Sequence, residues 1–411
     1  MKSGAGNRIL VVDRLNYYVD GTHILKEISL NADRGEFIGL IGPNGAGKTT
    51  LLKCINGIYK GGGCVEIDGM DAKRMSRRQT AAKVAMLHQN TEITFPFTAI
   101  DIVMTGRYHL LGRFKAESAG DYSAVRMYME YTGTLGLEKR PINTLSGGER
   151  QRVLFAKVLA QETDLILLDE PSSNLDIANV EHVFACAAEL CANGKTVIAA
   201  VHDLKTAARF FKRLVLMKDG RIIADGTPET VITRENLRNA YGVNALVYKN
   251  RITGLVDFHM PGRKDSKGRN IKVHVIGGGG SASGIVRHLF EKGYDITAGV
   301  FAHGDSDLNC VDVFGIKALV CRPFSEIDNN THAENIELVK ASDITILCDM
   351  PFGMQNIRNL EAAAYASRLV IIEDKDTADR DFTGGKALAE YNRLKEHATV
   401  IESARLHEVL P

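Results

Sequence analysis

The sequence predicts an α/β protein that consists of two consecutive domains. The first observation is a glycine-rich loop at residues 42–50, which stands between a short apolar run and the start of a helix. The second is an apolar run at 165–168 that ends in the carboxylates Asp169 and Glu170. The third is a new series of alternating strands and helices from residue 271 onwards. Segments that alternate in this way are typical of largely parallel sheets covered by helices.

Length and composition indicate an ordinary globular chain of two or three domains. The chain has 411 residues, of which 45% are hydrophobic and 25% are charged, and its formal net charge is +1. We expect no nucleic-acid partner, because this charge gives no global reason for one. The seven cysteines are dispersed without a C-x-x-C pair, which indicates reduced thiols rather than disulfides or a zinc site. No apolar run approaches the roughly 18 residues that a membrane span needs.

The loop GPNGAGKTT at residues 42–50, here called the first glycine loop, has the composition of a phosphate cradle. Its glycines allow the backbone to bring successive N–H groups close to phosphate oxygens, and the N-terminus of the following helix adds to the attraction. Lys48 can reach the terminal phosphates, and the Thr49 hydroxyl can bind Mg²⁺. A plain glycine-rich turn is the alternative, but residue types, spacing and flanking pattern agree on a nucleotide. The residues predicted to bind it are Gly42, Asn44, Gly45, Ala46, Gly47, Lys48, Thr49 and Thr50.

The two carboxylates after the second apolar run suit the same chemistry. Asp169 is placed to hold Mg²⁺, and Glu170 is placed to orient a water molecule for attack on the γ-phosphate. Positioning and charge stabilisation do most of the work in phosphoryl transfer, so both groups matter. An acidic pair after a strand is often only a cap or a solvated turn, and it is the first glycine loop that favours the catalytic interpretation.

A third segment, LSGGERQR at residues 145–152, places a hydroxyl and two glycines before an apolar-periodic helix. Alone, this signature segment could be an ordinary capped helix able to attract an anion. Together with the first glycine loop and the acidic strand, it closely resembles the ATP-binding cassette (ABC) ATPases. The resemblance covers about residues 8–250. It implies a P-loop ABC ATPase domain at 1–262 with a RecA-like core, a β subdomain and a helical insertion at about 90–143.

The resemblance also implies roles for single residues. Gln89 falls at the position that senses Mg²⁺ and the γ-phosphate, Asp176 at the dimer interface, and His202 at the histidine that contacts the γ-phosphate. Taken alone, His202 would more simply be a structural histidine at a strand end. Tyr18 fits the aromatic residue that stacks on adenine, although the adjacent Tyr17 is an alternative. The implied catalytic residues are Lys48, Gln89, Glu170 and His202, and the implied metal ligands are Thr49, Gln89 and Asp169.

The same resemblance implies a homodimer that uses ATP and Mg²⁺. Each ATP would lie between the first glycine loop of one copy and Ser146, Gly147 and Gly148 of the other. ATP binding then drives closure of the dimer, and hydrolysis reopens it. Because the chain carries one first glycine loop and one signature segment, two copies are needed to complete the sites.

The segment at 97–114 resembles the corresponding part of the ATPases of iron–siderophore, haem and cobalamin importers. This implies integral membrane permease subunits, with a permease helix docked on the region 90–115, together with an extracellular binding protein and a location at the cytoplasmic face of the membrane. From the residues alone, the segment could also be a solvated amphipathic surface. A translation or DNA-associated ABC ATPase, with the C-terminal domain as a nucleotide-binding sensor, is the alternative function. It is disfavoured because the chain has one cassette and no sustained heptads.

A polar, glycine-bearing stretch at 263–270 predicts a linker, and residues 271–411 predict a Rossmann-like doubly wound domain. Its expected strands are 271–276, 294–301, 315–321, 343–348 and 368–373. Residues 277–282 satisfy the dinucleotide fingerprint G-x-G-x-x-A, but no acidic residue is clearly placed about 20 residues later to bind a ribose. Because doubly wound sheets bind ligands at the carboxyl ends of their strands, we expect a small-molecule site and a regulatory role. The candidate residues are Gly277, Gly279, Gly280, Ser281, Asp349 and Asp374.

Overall fold

The computed structural model describes residues 7–89, 93–111, 116–173, 175–250, 253–260 and 270–411. The chain divides into two units, Met1–Asp257 and Phe258–Pro411. Of the predicted linker at 263–270, residues 263–269 lie outside the described residues. The linker and the domain limits at 262 and 271 therefore stay predictions.

The first unit contains an antiparallel sheet, a six-stranded mixed sheet and a helical region. Its strands are β1 (Arg8–Val19), β2 (Thr22–Asp33), β3 (Phe37–Ile41), β4 (Gly62–Ile67), β5 (Met70–Asp71), β6 (Val84–Leu87), β7 (Leu165–Asp169), β8 (Thr196–Ala200), β9 (Arg213–Lys218) and β10 (Arg221–Gly226). Its helices are α1 (Lys48–Ile55), α2 (Arg77–Lys83), α3 (Ala99–Met104), α4 (Ala119–Tyr131), α5 (Gly147–Ala160), α6 (Ile177–Ala192), α7 (Leu204–Phe210), α8 (Pro228–Val231) and α9 (Arg234–Tyr241). A two-stranded sheet of β11 (Leu246–Lys249) and β12 (Val256–His259) follows.

The mixed sheet has the order β10-β9-β3-β8-β7-β6, in which only β10 runs antiparallel to its neighbour. Every residue of β3, β7 and β8 is buried, which explains why these strands are continuous apolar runs rather than alternating ones. The Met, Tyr and Arg residues of the stretch at about 76–137 predict a mostly helical region, but strand β6 lies within it, which corrects that prediction. The antiparallel sheet has the order β2-β1-β4-β5.

Between β6 and α5, the described residues form α3, α4 and three short 3₁₀ turns. Both helices begin with a capping box, in which Thr98 and Ser118 cap the N-termini and Asp101 and Asp121 bond back. The predicted insertion at about 90–143 includes residues 90–92 and 112–115, which lie outside the described residues. Among the described residues, no helix combines the length and the apolar character needed to cross a membrane.

The second unit is a doubly wound parallel sheet covered by helices. Its strands are β13 (Lys272–Ile276), β14 (Asp295–Ala302), β15 (Lys317–Cys321), β16 (Ile344–Leu347), β17 (Leu369–Ile372) and β18 (Thr399–Ile401). Its helices are α10 (Ser283–Glu291), α11 (Ser306–Phe314), α12 (Asn329–Lys340), α13 (Arg358–Ala363), α14 (Lys386–Lys395) and α15 (Leu406–Val409). All strands of this sheet are parallel, in the order β15-β14-β13-β16-β17-β18. The direction in which successive strands are added reverses between β13 and β16. This is the 3-2-1-4-5-6 order of dinucleotide-binding folds, so the predicted Rossmann-like class is confirmed.

A buried polar network joins the sheet of the second unit to its helices. The His274 ring on β13 hydrogen-bonds the Thr297 hydroxyl at 2.8 Å and Asn335 Oδ1 at 3.0 Å. The Asn335 side chain then donates to Asn359 Oδ1 at 3.2 Å. Burial lowers the pKa of His274 to about 4, although the hydrogen bond to Asn335 opposes this effect. His274 is therefore neutral in the folded protein at pH 7.

We predict that the second unit loses stability as the pH falls below about 6.5, the unfolded-state pKa of histidine. In that range the unfolded chain binds a proton that folded His274 excludes, so protonation favours unfolding until the pH reaches the folded-state pKa of about 4. At pH 5.5 the loss from His274 is about 1.4 kcal/mol. The measurement is a series of urea titrations at different pH values, in which hydrogen exchange of peptides from this unit reports its free energy of unfolding. His274→Gln should remove this part of the pH dependence, whereas His407→Gln, at an exposed histidine, should leave it unchanged. If the free energy of unfolding changed equally with pH in the parent protein and in both variants, the assignment to His274 would be wrong.

Candidate nucleotide-binding site

The first glycine loop joins the end of β3 to the start of α1 and requires glycine at its two ends. Gly42 has φ 149° and Gly47 has φ 100°, in the region that residues with a side chain rarely adopt. A Cβ atom at Gly42 would lie 2.2 Å from the carbonyl oxygen of Met217, and one at Gly47 would lie 2.8 Å from Leu25 Cδ2. The loop is thus packed closely against β9 of the mixed sheet and β2 of the antiparallel sheet, with its N–H groups at the N-terminus of α1.

Lys48 is buried within this loop. Its ammonium group donates to the carbonyl oxygens of Gly42 at 2.7 Å and Pro43 at 3.2 Å. Burial lowers the pKa of Lys48, and the negative charges of Glu170 and Asp169 oppose that shift. A phosphate in the loop would offer this buried cation a stronger acceptor than two neutral carbonyls.

Thr49 and Asp169 form the oxygen pair that the sequence predicted for Mg²⁺. Thr49 Oγ1 donates to Asp169 Oδ1 at 2.8 Å, and Asp169 is only 1% exposed. Burial raises the pKa of Asp169, while the hydrogen bond from Thr49 counteracts the rise. Hydroxyl and carboxylate oxygens are ligands that Mg²⁺ prefers, and a buried carboxylate gains from a cation. The residues present therefore fit this metal ion.

Glu170 lies where three neighbouring strands end. Its two carboxylate oxygens contact the Gln89 amide nitrogen and the His202 ring Nε2. Gln89 follows β6, Glu170 follows β7 and His202 follows β8, so the parallel order of these strands brings the three side chains together. Glu170 has φ 53°, a left-handed conformation that is uncommon for a residue with a side chain and is concentrated at functional sites.

Comparison with known proteins gives the family. A family model described as ABC transporter matches residues 25–173, and one described as the MJ0874 family matches residues 296–408. The cobalamin import ATP-binding protein BtuD of Halobacterium salinarum is 34% identical over 364 residues, which are 88% of this chain and 91% of that protein. The chain belongs to the ABC transporter ATPases. The resemblance stated from the sequence motifs is thereby confirmed, and the activity of this ABC transporter ATPase is ATP hydrolysis coupled to transport.

Two further relatives match the cassette. The hemin import ATP-binding protein HmuV of Deinococcus radiodurans is 36% identical over 241 residues, covering 57% of this chain and 91% of that protein. The structure of an ABC transporter described as of metal-chelate type, in an inward-facing conformation, superposes with a TM-score of 0.54 and 26% identity. That match covers 62% of this ABC transporter ATPase and 96% of the other chain.

The signature segment of this ABC transporter ATPase forms the first turn of α5. Ser146 caps the helix by accepting from the Glu149 N–H at 3.3 Å, and Glu149 accepts in return from the Ser146 N–H at 2.8 Å. The hydrogen bonds with Ser146 lower the pKa of Glu149. Gly147 and Gly148 begin the helix, and Asp176 caps α6 by accepting from the Asn179 N–H at 2.8 Å. The hydrogen bonds described for Ser146 stay within this turn, and none joins it to the first glycine loop.

The two adjacent tyrosines have different surroundings. Tyr17 stacks on Tyr59 with ring centroids 5.0 Å apart and packs against the core, whereas Tyr18 is 57% exposed and stacks on His23 at 4.2 Å. Of the two rings, that of Tyr18 is therefore the one exposed to a ligand. The sequence analysis did not anticipate the stacking of His23 on Tyr18, although the turn at Asp20 and Gly21 places His23 opposite Tyr18 across the β1–β2 hairpin.

The candidate residues of the second unit fall into two separate cavities. Gly277 and Gly279 line one of about 280 Å³. The other, of about 490 Å³, is lined by Gly280, Ser281, Asp349 and Asp374. Asp349 Oδ1 lies 3.0 Å from the Nη2 atom of buried Arg380, and Asp374 accepts from the Ser403 N–H at 2.8 Å. Asp305 and Asp307 lie too late in the sequence to be the ribose-binding acid of the fingerprint, and they contact the loop at 277–283.

We predict that Glu170→Gln binds ATP but loses turnover by about 10²–10⁴-fold, because an amide cannot accept the proton of the attacking water. The variant should also accumulate as an ATP-bound dimer, which size-exclusion chromatography with ATP would detect. Glu162→Gln is the matched control, since Glu162 is another glutamate of this unit with a left-handed backbone, φ 56°. Near-normal turnover of Glu170→Gln would refute its assignment as the catalytic base.

We predict that Tyr18→Ala weakens ATP binding about 2- to 10-fold, which corresponds to the roughly 0.5–1.5 kcal/mol of an aromatic stacking pair. The turnover at saturating ATP should stay unchanged, because the ring is expected to stack on adenine and not to contact the phosphates. Tyr18→Phe should restore the affinity, since it keeps the ring and removes only the hydroxyl. Titration calorimetry with a non-hydrolysable ATP analogue measures the effect, and unchanged affinity in Tyr18→Ala would remove this residue from the adenine site.

Proposed function

We propose that this ABC transporter ATPase powers the uptake of a metal chelate such as an iron–siderophore, haem or cobalamin through a separate permease. The observation that carries the proposal is the match to the cobalamin import protein over 364 residues, more than the 257 residues of the first unit. That similarity therefore extends into the second unit. The hemin import relative and the metal-chelate type transporter support the same class of cargo.

The surface beside the site supports docking of a permease. A cavity of about 610 Å³ is lined by residues of α2, by Met86 of β6 and by His88, the neighbour of Gln89. It shares Arg77, Ala81 and Gln161 with a second cavity of about 470 Å³. Large hydrophobic side chains in the region predicted to meet the permease are exposed. They are Phe95, Phe97, Tyr108 and Leu110. A cluster of exposed apolar side chains such as this one is typical of protein interfaces.

The site residues would act on ATP as follows. Thr49 and Asp169, with Gln89, would hold Mg²⁺, which supplies positive charge to the phosphate oxygens. The first glycine loop would bind the phosphates through its N–H groups, and Lys48 and His202 would stabilise charge on the γ-phosphate. Glu170 would orient and deprotonate the attacking water. These are roles of positioning and electrostatics, which dominate phosphoryl transfer.

The proposal includes a homodimer, because the signature turn at Ser146 is not hydrogen-bonded to the first glycine loop of the same chain. Ser146, Gly147, Gly148 and Asp176 of a second copy would complete each ATP site. The complex would lie at the cytoplasmic face of the membrane, held by the permease and supplied by an extracellular binding protein. No nucleic acid is part of it. The second unit would regulate the cassette through a small ligand.

Affinity purification of the full chain from detergent-solubilised native membranes tests the proposal. We predict that it recovers an integral membrane permease, and that Phe95→Ala combined with Phe97→Ala lowers the recovery at least tenfold without changing the ATPase rate in solution. Exposed apolar anchors of this kind carry much of the energy of an interface. Phe382→Ala, at a comparably exposed phenylalanine of the second unit, is the matched control. Recovery of ribosomes or DNA without a permease would favour the translation or DNA-associated alternative.

A further inference from the structure

The loop at residues 277–283, here called the second glycine loop, holds a carboxylate of its own chain where doubly wound folds bind phosphate. Asp307 Oδ2 accepts from the N–H groups of Gly280 and Ala282, both at 3.1 Å. Its Oδ1 accepts from the Ser283 N–H at 2.8 Å and from the Ser283 hydroxyl at 2.6 Å. Asp307 is fully buried. The carboxylate therefore satisfies the N-terminus of α10 as a bound anion would.

The N–H groups of Gly278, Gly279 and Ser281 are also used. Gly279 donates to Asp305 Oδ2 at 3.0 Å, Gly278 donates to Ser281 Oγ at 3.3 Å, and the Ser281 N–H donates to the Gly278 carbonyl at 3.3 Å. A phosphate here would have to displace two carboxylates and would meet their negative charge at short range. The second glycine loop is thus closed to a pyrophosphate, although its sequence satisfies the dinucleotide fingerprint.

The cavity of about 280 Å³ opens beside the closed loop. It lies at the carboxyl ends of β13, β14 and β15, where Gly277, Ala302 and Cys321 line it. Ligands of doubly wound sheets bind at this edge. The volume is just below the range of about 300–1,000 Å³ for ligand pockets, so a molecule of nucleoside size or smaller suits it.

The lining of this cavity combines hydrogen-bonding groups with apolar surface. Asp305 accepts one bond on each carboxylate oxygen, from the N–H groups of Gly279 and Asp307, and therefore keeps capacity to accept hydroxyl donors. Val300 and Ile327 provide apolar wall. Phe324, which also lines the cavity, is 92% exposed and has φ 57°. A strained backbone that holds an aromatic ring in solvent beside a cavity is typical of a ligand-binding position.

We propose that the second unit binds a phosphate-free nucleoside in this cavity, with its ribose diol on Asp305 and its base against Phe324. The carboxylates at the second glycine loop select against the 5′-phosphorylated form of the same compound. The site therefore distinguishes nucleosides from the nucleotides that the cassette binds. The proposal concerns the second unit alone and does not depend on the transport function.

Titration calorimetry of the full chain with adenosine, AMP and NAD⁺ tests the proposal. All proteins carry Tyr18→Ala to weaken adenine binding at the cassette. We expect adenosine to bind at least tenfold more tightly than AMP or NAD⁺. Phe324→Ala and Asp305→Asn should each weaken adenosine binding at least fivefold. Asp305→Asn should also reduce the preference for adenosine over AMP, because it removes one of the repelling charges; a purely structural role would not change this ratio.

Asp295→Asn is the matched control, since Asp295 is exposed and lies at the opposite end of β14. Its adenosine affinity should equal that of the parent protein. Thermal unfolding of every variant shows whether the second unit remains folded. Three results would each overturn the proposal: no adenosine binding at millimolar concentration, AMP or NAD⁺ binding as tightly as adenosine, or adenosine binding that neither Phe324→Ala nor Asp305→Asn changes.

Discussion

The hydrogen bond from Thr49 Oγ1 to Asp169 Oδ1 is the contact on which the cassette site depends. It ties the N-terminus of α1 to the end of β7, and it is possible because β3 and β7 flank β8 in a parallel arrangement that places their carboxyl ends at one edge. Burial at this edge raises the pKa of Asp169, and Thr49, Lys53 and Lys48 each counteract part of that rise. The next residue, Glu170, then turns through a left-handed backbone to Gln89 and His202.

The two glycine loops differ in the groups that meet the partial positive charge of their backbone N–H groups. Each presents backbone N–H groups at a helix N-terminus, which attracts negative charge. The first loop holds a buried cation, Lys48, against its own carbonyl oxygens. The second loop is neutralised by Asp307, a residue of the same chain. One protein therefore contains a proposed phosphate cradle and a second glycine loop that is occupied by its own carboxylates, and the difference lies in residues outside the glycine motif.

Features specified by local motifs could be predicted from the sequence, whereas features that depend on contacts between distant residues could not. The strands β3 and β7 and the residues after them were predicted because local motifs specify them. Strand β6 was missed because four apolar residues inside a helix-rich stretch give no distinctive period. Strand β18 was missed because it has three residues, none of them fully buried. The contact of Asp307 with the second glycine loop spans more than 20 residues of chain, so its partner follows from the packing of α11 against α10 and not from any local pattern.

Strand β6 also connects a cavity on the surface of the cassette to the contact between Gln89 and Glu170. Met86 and His88 line the 610 Å³ cavity, while Gln89, one residue further, contacts Glu170. A protein segment bound in that cavity would press on the end of β6, and the Gln89–Glu170 contact would change with it. Coupling of this kind needs an element that both sites influence, and the short, parallel-paired β6 is such an element. Gln89, which contacts the carboxylate of Glu170, thus directly follows His88, a residue that lines the proposed permease surface.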